Sequence, residues 1–267
     1  MQLDDRMKLY ESVNTRDKSM PLLPLFARLD GKAFHSFTNG LSRPFDKGLS
    51  SLMIETTKHL VKTTNALVGY TQSDEITLLM YSNSMNTQLF FDGRLFKINS
   101  ILAATASVFF NKNLEKLIPS HADKNPLFDC RCWNVPTLEE AVNVFVWREL
   151  DATKNSITMA AQSYYSHNEL MNKNGSEKQE MLFKKGINWN DYPAFFKRGT
   201  YIKTRKVERP FTPEELDKLP LKHEARQNPS LKIVRSEICE MDLPPILSIS
   251  NKTGVFFQDE EPIVNEA

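Results

Sequence analysis

Leu22-Leu23-Pro24-Leu25-Phe26-Ala27-Arg28-Leu29 is a short apolar run that reads as a buried strand, and Asp30-Gly31 ends it. Glycine at that point tolerates backbone angles and close ligand approach that other residues do not, so Asp30 is placed at a strand terminus. A second run, Ala66-Leu67-Val68-Gly69-Tyr70-Thr71, leads into Gln72-Ser73-Asp74-Glu75, after which Ile76-Thr77-Leu78-Leu79-Met80-Tyr81 resumes strand composition. That pattern predicts a hairpin with the acids at its turn. Between the two runs, Asp46 to Asn65 spaces Leu49, Leu52, Met53, Leu60 and Val61 as a helix would. The order strand, helix, hairpin brings both acidic turns to one edge of a sheet.

Two acids at a tight turn repel one another unless a cation lies between them. A lone Asp-Gly or Asp-Glu is usually only a turn, but three carboxylates in two strand-edge settings suit two-metal phosphoryl transfer. In that chemistry two divalent cations activate an attacking hydroxyl and neutralise charge on the leaving phosphate. Mg²⁺ prefers oxygen ligands and keeps several waters, so a few aspartates plus substrate phosphates suffice.

Arg28-Leu29-Asp30-Gly31-Lys32-Ala33-Phe34-His35 with the Gln72–Glu75 turn resembles the tRNA-His guanylyltransferase family, in which an Arg-(Leu/Ile)-Asp-Gly-x-x-Phe-His segment precedes a Gln-Ser-Asp-Glu turn. Arg43-Pro44-Phe45-Asp46, Phe128-Asp129-Cys130-Arg131, Glu180-Met181-Leu182-Phe183 and Phe196-Lys197-Arg198-Gly199-Thr200 resemble further landmarks in the same order. The resemblance covers about Leu22 to Thr204. It implies an α+β fold with a polymerase-palm-like antiparallel sheet flanked by helices, in a catalytic domain over residues 1–204 with a C-terminal extension over 205–267.

The activity so implied is Mg²⁺-dependent addition of nucleotides to the 5′ end of tRNA or tRNA-like RNA, opposite in direction to ordinary polymerases. ATP activates a 5′-monophosphate, the 3′-hydroxyl of GTP attacks it, and pyrophosphate is released. Carried over residue by residue, Asp30, Asp74 and Glu75 are the catalytic acids. Asp30, Asp74 and the Gly31 carbonyl hold two Mg²⁺ ions. Asp30, Gly31, Lys32, Ala33, Phe34, His35, Ser73 and Asp74 surround the GTP, and Arg43 and Lys178 contact its phosphates. The resemblance also implies a homo-oligomer, specifically a tetramer.

One departure stands out. Members dedicated to tRNA-His carry a His-Ile-Asn-Asn signature on a helix, where this chain has Thr153-Lys154-Asn155-Ser156. The loss is typical of the guanylyltransferase-like branch, whose members resemble template-dependent 5′-end repair polymerases. Two other readings fit the same acids: a palm-domain nucleotidyl cyclase, and a non-catalytic RNA-binding protein that keeps the fold. Crowded acids at a phosphate-binding surface are costly without cations, which argues against the second.

The whole chain, 267 residues, has 34 basic and 33 acidic side chains and a net charge of +1, so any RNA surface is a local patch rather than a global field. No apolar run approaches the roughly 20 residues of a membrane span, and Met1-Gln2-Leu3-Asp4-Asp5-Arg6 lacks a signal-peptide apolar region, which predicts a cytoplasmic protein. Cys130, Cys132 and Cys239 read as reduced structural thiols and not as a zinc site. With nine glycines and no Walker or Rossmann fingerprint, a glycine-rich phosphate cradle is not expected.

Elsewhere, 99–113 reads as a core helix. Thr137-Leu138-Glu139-Glu140 reads as a capping box opening a helix toward Asp151. Asn172-Lys173-Asn174-Gly175-Ser176 is expected to be a flexible loop, and Tyr201 to Val207 a half-buried strand with Lys203 and Arg205 outward. Thr212-Pro213 starts a short helix, and Lys232–Arg235 and Ile246–Ile249 are expected to pair at a sheet edge.

Overall fold

The computed structural model describes residues 1–228 and 230–265. After helix α1 (Leu3–Thr15), strand β1 (Leu25–Gly31) leads through the short α2 (Phe34–Phe37) into α3 (Lys47–Thr64). Asp46 opens α3 by accepting the Leu49 N–H at 3.0 Å, and Asn65 closes it in the left-handed region at φ 52°. The hairpin β2 (Val68–Gln72) and β3 (Glu75–Met80) follows, joined by the two-residue turn Ser73-Asp74 with Ser73 at φ 54°. Then come α4 (Leu95–Leu117), β4 (Phe128–Asn134), α5 (Leu138–Gln162), α6 (His167–Leu170), α7 (Gly175–Lys184), α8 (Ala194–Arg198) and β5 (Thr200–Pro210). The last elements are α9 (Pro213–Asp217), α10 (Glu224–Gln227), β6 (Lys232–Met241) and α11 (Lys252–Phe257).

The strands form one six-stranded sheet in the order β4-β1-β3-β2-β5-β6, antiparallel at every junction. Strand alternation sends Leu25, Ala27, Leu29, Ile76 and Leu78 to one face, under α3 and α4. Phe26, Tyr70, Leu79 and Tyr201 go to the other, under α5 and α11. Both faces are covered, which is why β1 and β2 read as nearly continuous apolar runs. A third cluster of Ala160, Ala161, Leu170, Leu182 and Phe196 fastens α6, α7 and α8 to the far half of α5. This is the α+β, palm-like sheet flanked by helices expected from the sequence.

Several local expectations change. α5 continues past Asp151 to Gln162, because Ala152, Ile157, Ala160 and Ala161 extend its buried stripe. Asn174 accepts the Glu177 N–H while the Glu177 carboxylate accepts the Asn174 N–H, so Gly175 and Ser176 form the first turn of α7 rather than a loop. Lys203 is not outward but 1% exposed: its ammonium donates to the Val255 and Phe256 carbonyls at 2.9 and 3.0 Å and pairs with Asp259 at 2.6 Å. The sheet has no solvent face there, since α11 closes it. Lys232–Arg235 pairs with β5, whereas Ile246–Ser248 is a 3₁₀ turn, so the two tail segments do not pair with each other. Cys130, Cys132 and Cys239 are free thiols, the first two packed on the α4 side of the core.

Candidate active site

Register places the acids. Asp30 lies opposite Glu75 on one neighbouring strand and opposite Asp129 on the other. The Gly31 N–H donates to the Asp74 carbonyl at 3.1 Å, which ties the end of β1 directly to the β2–β3 turn. Gly31 is required by close approach: a Cβ built there would lie 2.2 Å from the Phe34 ring. That ring is buried among Phe37, Phe110 and Phe128, with centroids 4.9, 5.7 and 5.2 Å away, and Ala33 turns the chain into α2 at φ 54°. Phe34 is therefore the anchor that holds the loop carrying Asp30 against the core.

Asp74 and Glu75 are adjacent in sequence and opposite in environment. Burial raises the Asp74 carboxyl above its ordinary value and the Asp30 charge adds to the rise, while Asp74 forms no ion pair among the described residues. Burial raises the Glu75 carboxyl too, but two guanidiniums oppose it. Arg148 Nε and Nη2 donate to its two oxygens at 2.6 and 2.8 Å, and Arg28 Nε stands 3.9 Å away. Arg148 also donates to Asp151 at 3.1 Å, and Asp151 accepts from Asn155 Nδ2 at 3.2 Å. The Trp147 ring lies 5.5 Å from the Arg28 guanidinium and 4.6 Å from that of Arg148. Glu75 thus anchors the hairpin to α5.

A cavity of about 380 Å³ opens beside the turn. It is lined by Phe34, His35, Arg43, Ser73 and Asp74 from the sequence-derived set, together with Thr38, Ser42 and Asp46. Met159, Gln162 and Ser163 close it from the end of α5; nothing in their local sequence marks them, since only the packing of α5 brings them there. Arg43 is exposed and in no ion pair among the described residues. Asp30, Gly31, Lys32 and Ala33 flank the cavity without lining it, and Lys32 N–H is occupied by the Leu127 carbonyl. Lys178 also lies off the lining, its Nζ donating to Thr158 Oγ1 at 3.1 Å.

The donor set fits Mg²⁺. Asp30, Asp74 and the Gly31 carbonyl offer only hard oxygens, and a buried Asp74 without a cation has most to gain from one. Among the described residues no group of three or more His, Cys, Asp or Glu side chains gathers as a metal site. Waters and phosphate oxygens would complete the coordination. No helix among those residues is long and apolar enough to cross a membrane.

A family model described as Thg1, tRNAHis guanylyltransferase, matches residues 4–136. The tRNA(His) guanylyltransferase of Debaryomyces hansenii is 30% identical over 215 residues, covering 72% of this chain and 79% of the yeast protein. A bacterial tRNA(His) guanylyltransferase (Thg1)-like protein solved in complex with ATP superposes with a TM-score of 0.72 and 38% identity, over 76% of this chain and 87% of that one. A bacterial Thg1-like protein in complex with GTP gives 0.71 and 32%, over 92% and 94%. With its carboxylates gathered at the turn, its palm-like sheet and relatives of this similarity, the chain belongs to the tRNA(His) guanylyltransferase family of nucleotidyltransferases.

Proposed function

We propose that this protein extends tRNA or tRNA-like RNA at the 5′ end, in the 3′–5′ direction, with ATP activating a 5′-monophosphate and GTP or a template-matched nucleotide supplying the attacking 3′-hydroxyl. The observation that carries the reading is the joining of Asp30 and Asp74 through the Gly31–Asp74 hydrogen bond at the mouth of a nucleotide-sized cavity. Mg²⁺, when bound, supplies charge neutralisation at the phosphates and acidifies the attacking hydroxyl.

The chain's own residues supply position. Asp30, Asp74 and the Gly31 carbonyl would hold the cations, and Glu75, locked by Arg148, keeps the turn in place. His35, Phe34 and Ser73 bound the nucleotide, and Lys32 and Ala33 shape the loop beside it. Arg43 faces the cavity as a cation for triphosphate. Lys178, held by Thr158 next to the lining residue Met159, extends the same electrostatic support. Assembly into a homo-oligomer belongs to this reading.

Template choice follows from the fate of Thr153-Lys154-Asn155-Ser156. Asn155 is occupied by Asp151, while Ser156 is buried, accepting from Trp189 Nε1 at 3.2 Å and donating to the Lys197 carbonyl at 3.3 Å. Ser156 serves packing and the exposed Asn155 is engaged by Asp151, which supports Watson–Crick pairing as what selects the added base. The test uses 5′-triphosphorylated RNAs, which bypass activation, with labelled nucleotides, Mg²⁺ and mapping of the 5′ end. Truncated tRNAs should be restored with the complementary base faster than G is added opposite A on intact tRNA-His. The reverse order would overturn template choice, and no addition to any RNA would overturn the reading as a whole.

A further inference from the structure

The sheet face under α5 is open toward the edge strand β4, beside the acids. Phe26, Arg28 and Asp30 alternate onto the α5 side of β1, and register sets Trp133, Arg131 and Asp129 next to them on β4. The acids thus form one row across the strands, the two arginines the next row and the aromatic rings a third. α5 is fastened over β3 and β5, where Arg148 binds Glu75 and Glu149 accepts the Tyr201 hydroxyl. The β4 margin stays uncovered, with the Asp129 and Arg131 side chains 59% and 50% exposed. α5 itself presents Asn143, Trp147, Leu150 and Lys154 to solvent at spacings of four, three and four residues, so they share one face of the helix.

Trp147 is 51% exposed and yet held in place. Its ring lies against the Arg28 and Arg148 guanidiniums, both of which pair with Glu75. A ring that only covered these cations would turn little of its own surface to water, whereas half of this one faces solvent. Along β1 and the turn beyond it the order is Arg28 against Trp147, then Asp30 about 7 Å further on, then Phe34 and His35 at the cavity. Along α5 the order is the same: Trp147 precedes the cavity-lining Met159 by twelve residues, a rise of about 18 Å. The acids have the cavity on one side and a fixed, wet aromatic ring on the other.

We propose that the end of the RNA docks on this open face, with Trp147 stacking on its terminal base pair and Arg131 taking a phosphate of the strand being extended. This placement rests on the reading above: nucleotide and RNA must meet at the acids, and with the cavity taking the nucleotide the open face is the side left for the RNA. Every base has a π-face, so stacking on Trp147 accepts any closed pair without reading its identity. Such a surface suits base choice by a template. Arg131 Nη2 lies 3.3 Å from Asp129 and 4.0 Å from Asp30, and its half-exposed guanidinium keeps further donors for a phosphate. Exposed Leu150 widens the apolar surface beside the ring, and Lys154, in no ion pair among the described residues, adds a cation one turn further along.

The test uses the full-length chain and a 5′-triphosphorylated acceptor-stem hairpin that lacks its first 5′ nucleotide and carries 2-aminopurine as the 5′-terminal base, whose emission falls when it stacks. Wild type and Trp147→Phe should quench the probe on binding. Trp147→Leu covers the same guanidiniums without a π-face, so it should lose the quench and raise the KM for RNA about tenfold, while the nucleotide KM and the melting temperature hold. Arg131→Gln should lower the slope of log Kd for the hairpin against log salt by about one, and Arg131→Lys should keep it. Unchanged quench and RNA KM in Trp147→Leu would overturn the stacking surface, as would a rise in the KM for ATP on 5′-monophosphorylated RNA without one for RNA. Equal losses in Trp147→Phe and Trp147→Leu together with a lowered melting temperature would overturn it too, leaving the ring as a cover for the Arg28–Glu75–Arg148 cluster. An unchanged salt slope in Arg131→Gln would remove Arg131 from the phosphate. A wild-type chain that extends no RNA would overturn the function proposed above, whereas a wild type that extends RNA and a Trp147→Leu variant that matches it in every readout would overturn the docking face alone.

Discussion

Two acids withdrawn from water, one on a helix and one at a hairpin turn, have been given opposite settings. Glu149, on α5, is 4% exposed and fully occupied: its carboxylate accepts the Tyr201 hydroxyl at 3.0 Å and the Ile246 N–H at 2.8 Å. Asp74, at the β2–β3 turn, is also withdrawn from water, yet its neighbour across the turn is another acid, Asp30. Burying a carboxylate is tolerable when hydrogen bonds replace its hydration, and unfavourable when a like charge stands beside it. The first arrangement satisfies two buried donors from within the fold itself. The second is a setting whose repulsion a bound cation would offset, so the contrast sets an architectural acid beside the one proposed to act in the site.

The largest expected effect tests the functional side. Asp30→Ala and Asp74→Ala should each lower nucleotide addition by at least about two orders of magnitude while the melting temperature holds or rises, since each removes like-charge repulsion. Addition at the wild-type rate by a purified, folded variant would erase the distinction.

Next in size is the architectural side. Glu149→Ala strands the Tyr201 hydroxyl and the Ile246 amide in the core, and chemical denaturation should show a loss of about 2–4 kcal/mol. Turnover per folded molecule should stay at the wild-type value. A stability change below about 0.5 kcal/mol would mean that water or another group satisfies both donors.

Arg43 sharpens the comparison from the substrate side. It is exposed beside the cavity, so Arg43→Ala should raise the apparent KM for nucleotide several-fold with little change in melting temperature. An unchanged KM, measured with saturating RNA, would remove it from the triphosphate.

The smallest effect is a pH slope. Burial raises the Glu149 carboxyl above the ordinary value of 4.5, so the folded protein holds that proton more tightly than the unfolded chain does. Its contribution to stability therefore declines as pH rises from that value upward. Glu149→Gln keeps an acceptor for Ile246 and a donor toward Tyr201 but cannot ionise. The variant's melting temperature, relative to wild type, should be more favourable near about pH 8 than near about pH 5. A difference that is flat with pH would show that Glu149 is not the source of the slope.

The acids at the two turns were legible in the sequence because each belongs to a local signal: Asp30-Gly31 ends an apolar run, and Ser73-Asp74 separates two. The caps were legible for the same reason, since Thr137 and Thr212 bind amides only three residues away. Lys203 was misplaced because alternation fixes which residues share a face but not what covers that face. The residue that buries it, Phe256, is more than fifty positions distant. The role of Glu75 was half visible: an acid at the turn could be read, whereas its bidentate partner Arg148 lies on another element.

By itself, then, the sequence determined most of the elements, the Thr137 and Thr212 caps and the acidic turns, since these depend on interactions within a few residues of one another. The strand order decided the rest. It set Asp30 between Glu75 and Asp129, swung the end of α5 over the turn to close the cavity, and left Glu149 hydrogen-bonded to two donors but Asp74 beside a like charge. Such outcomes rest on which distant groups share a low-dielectric space, and that is a property of packing that no local run of residues carries.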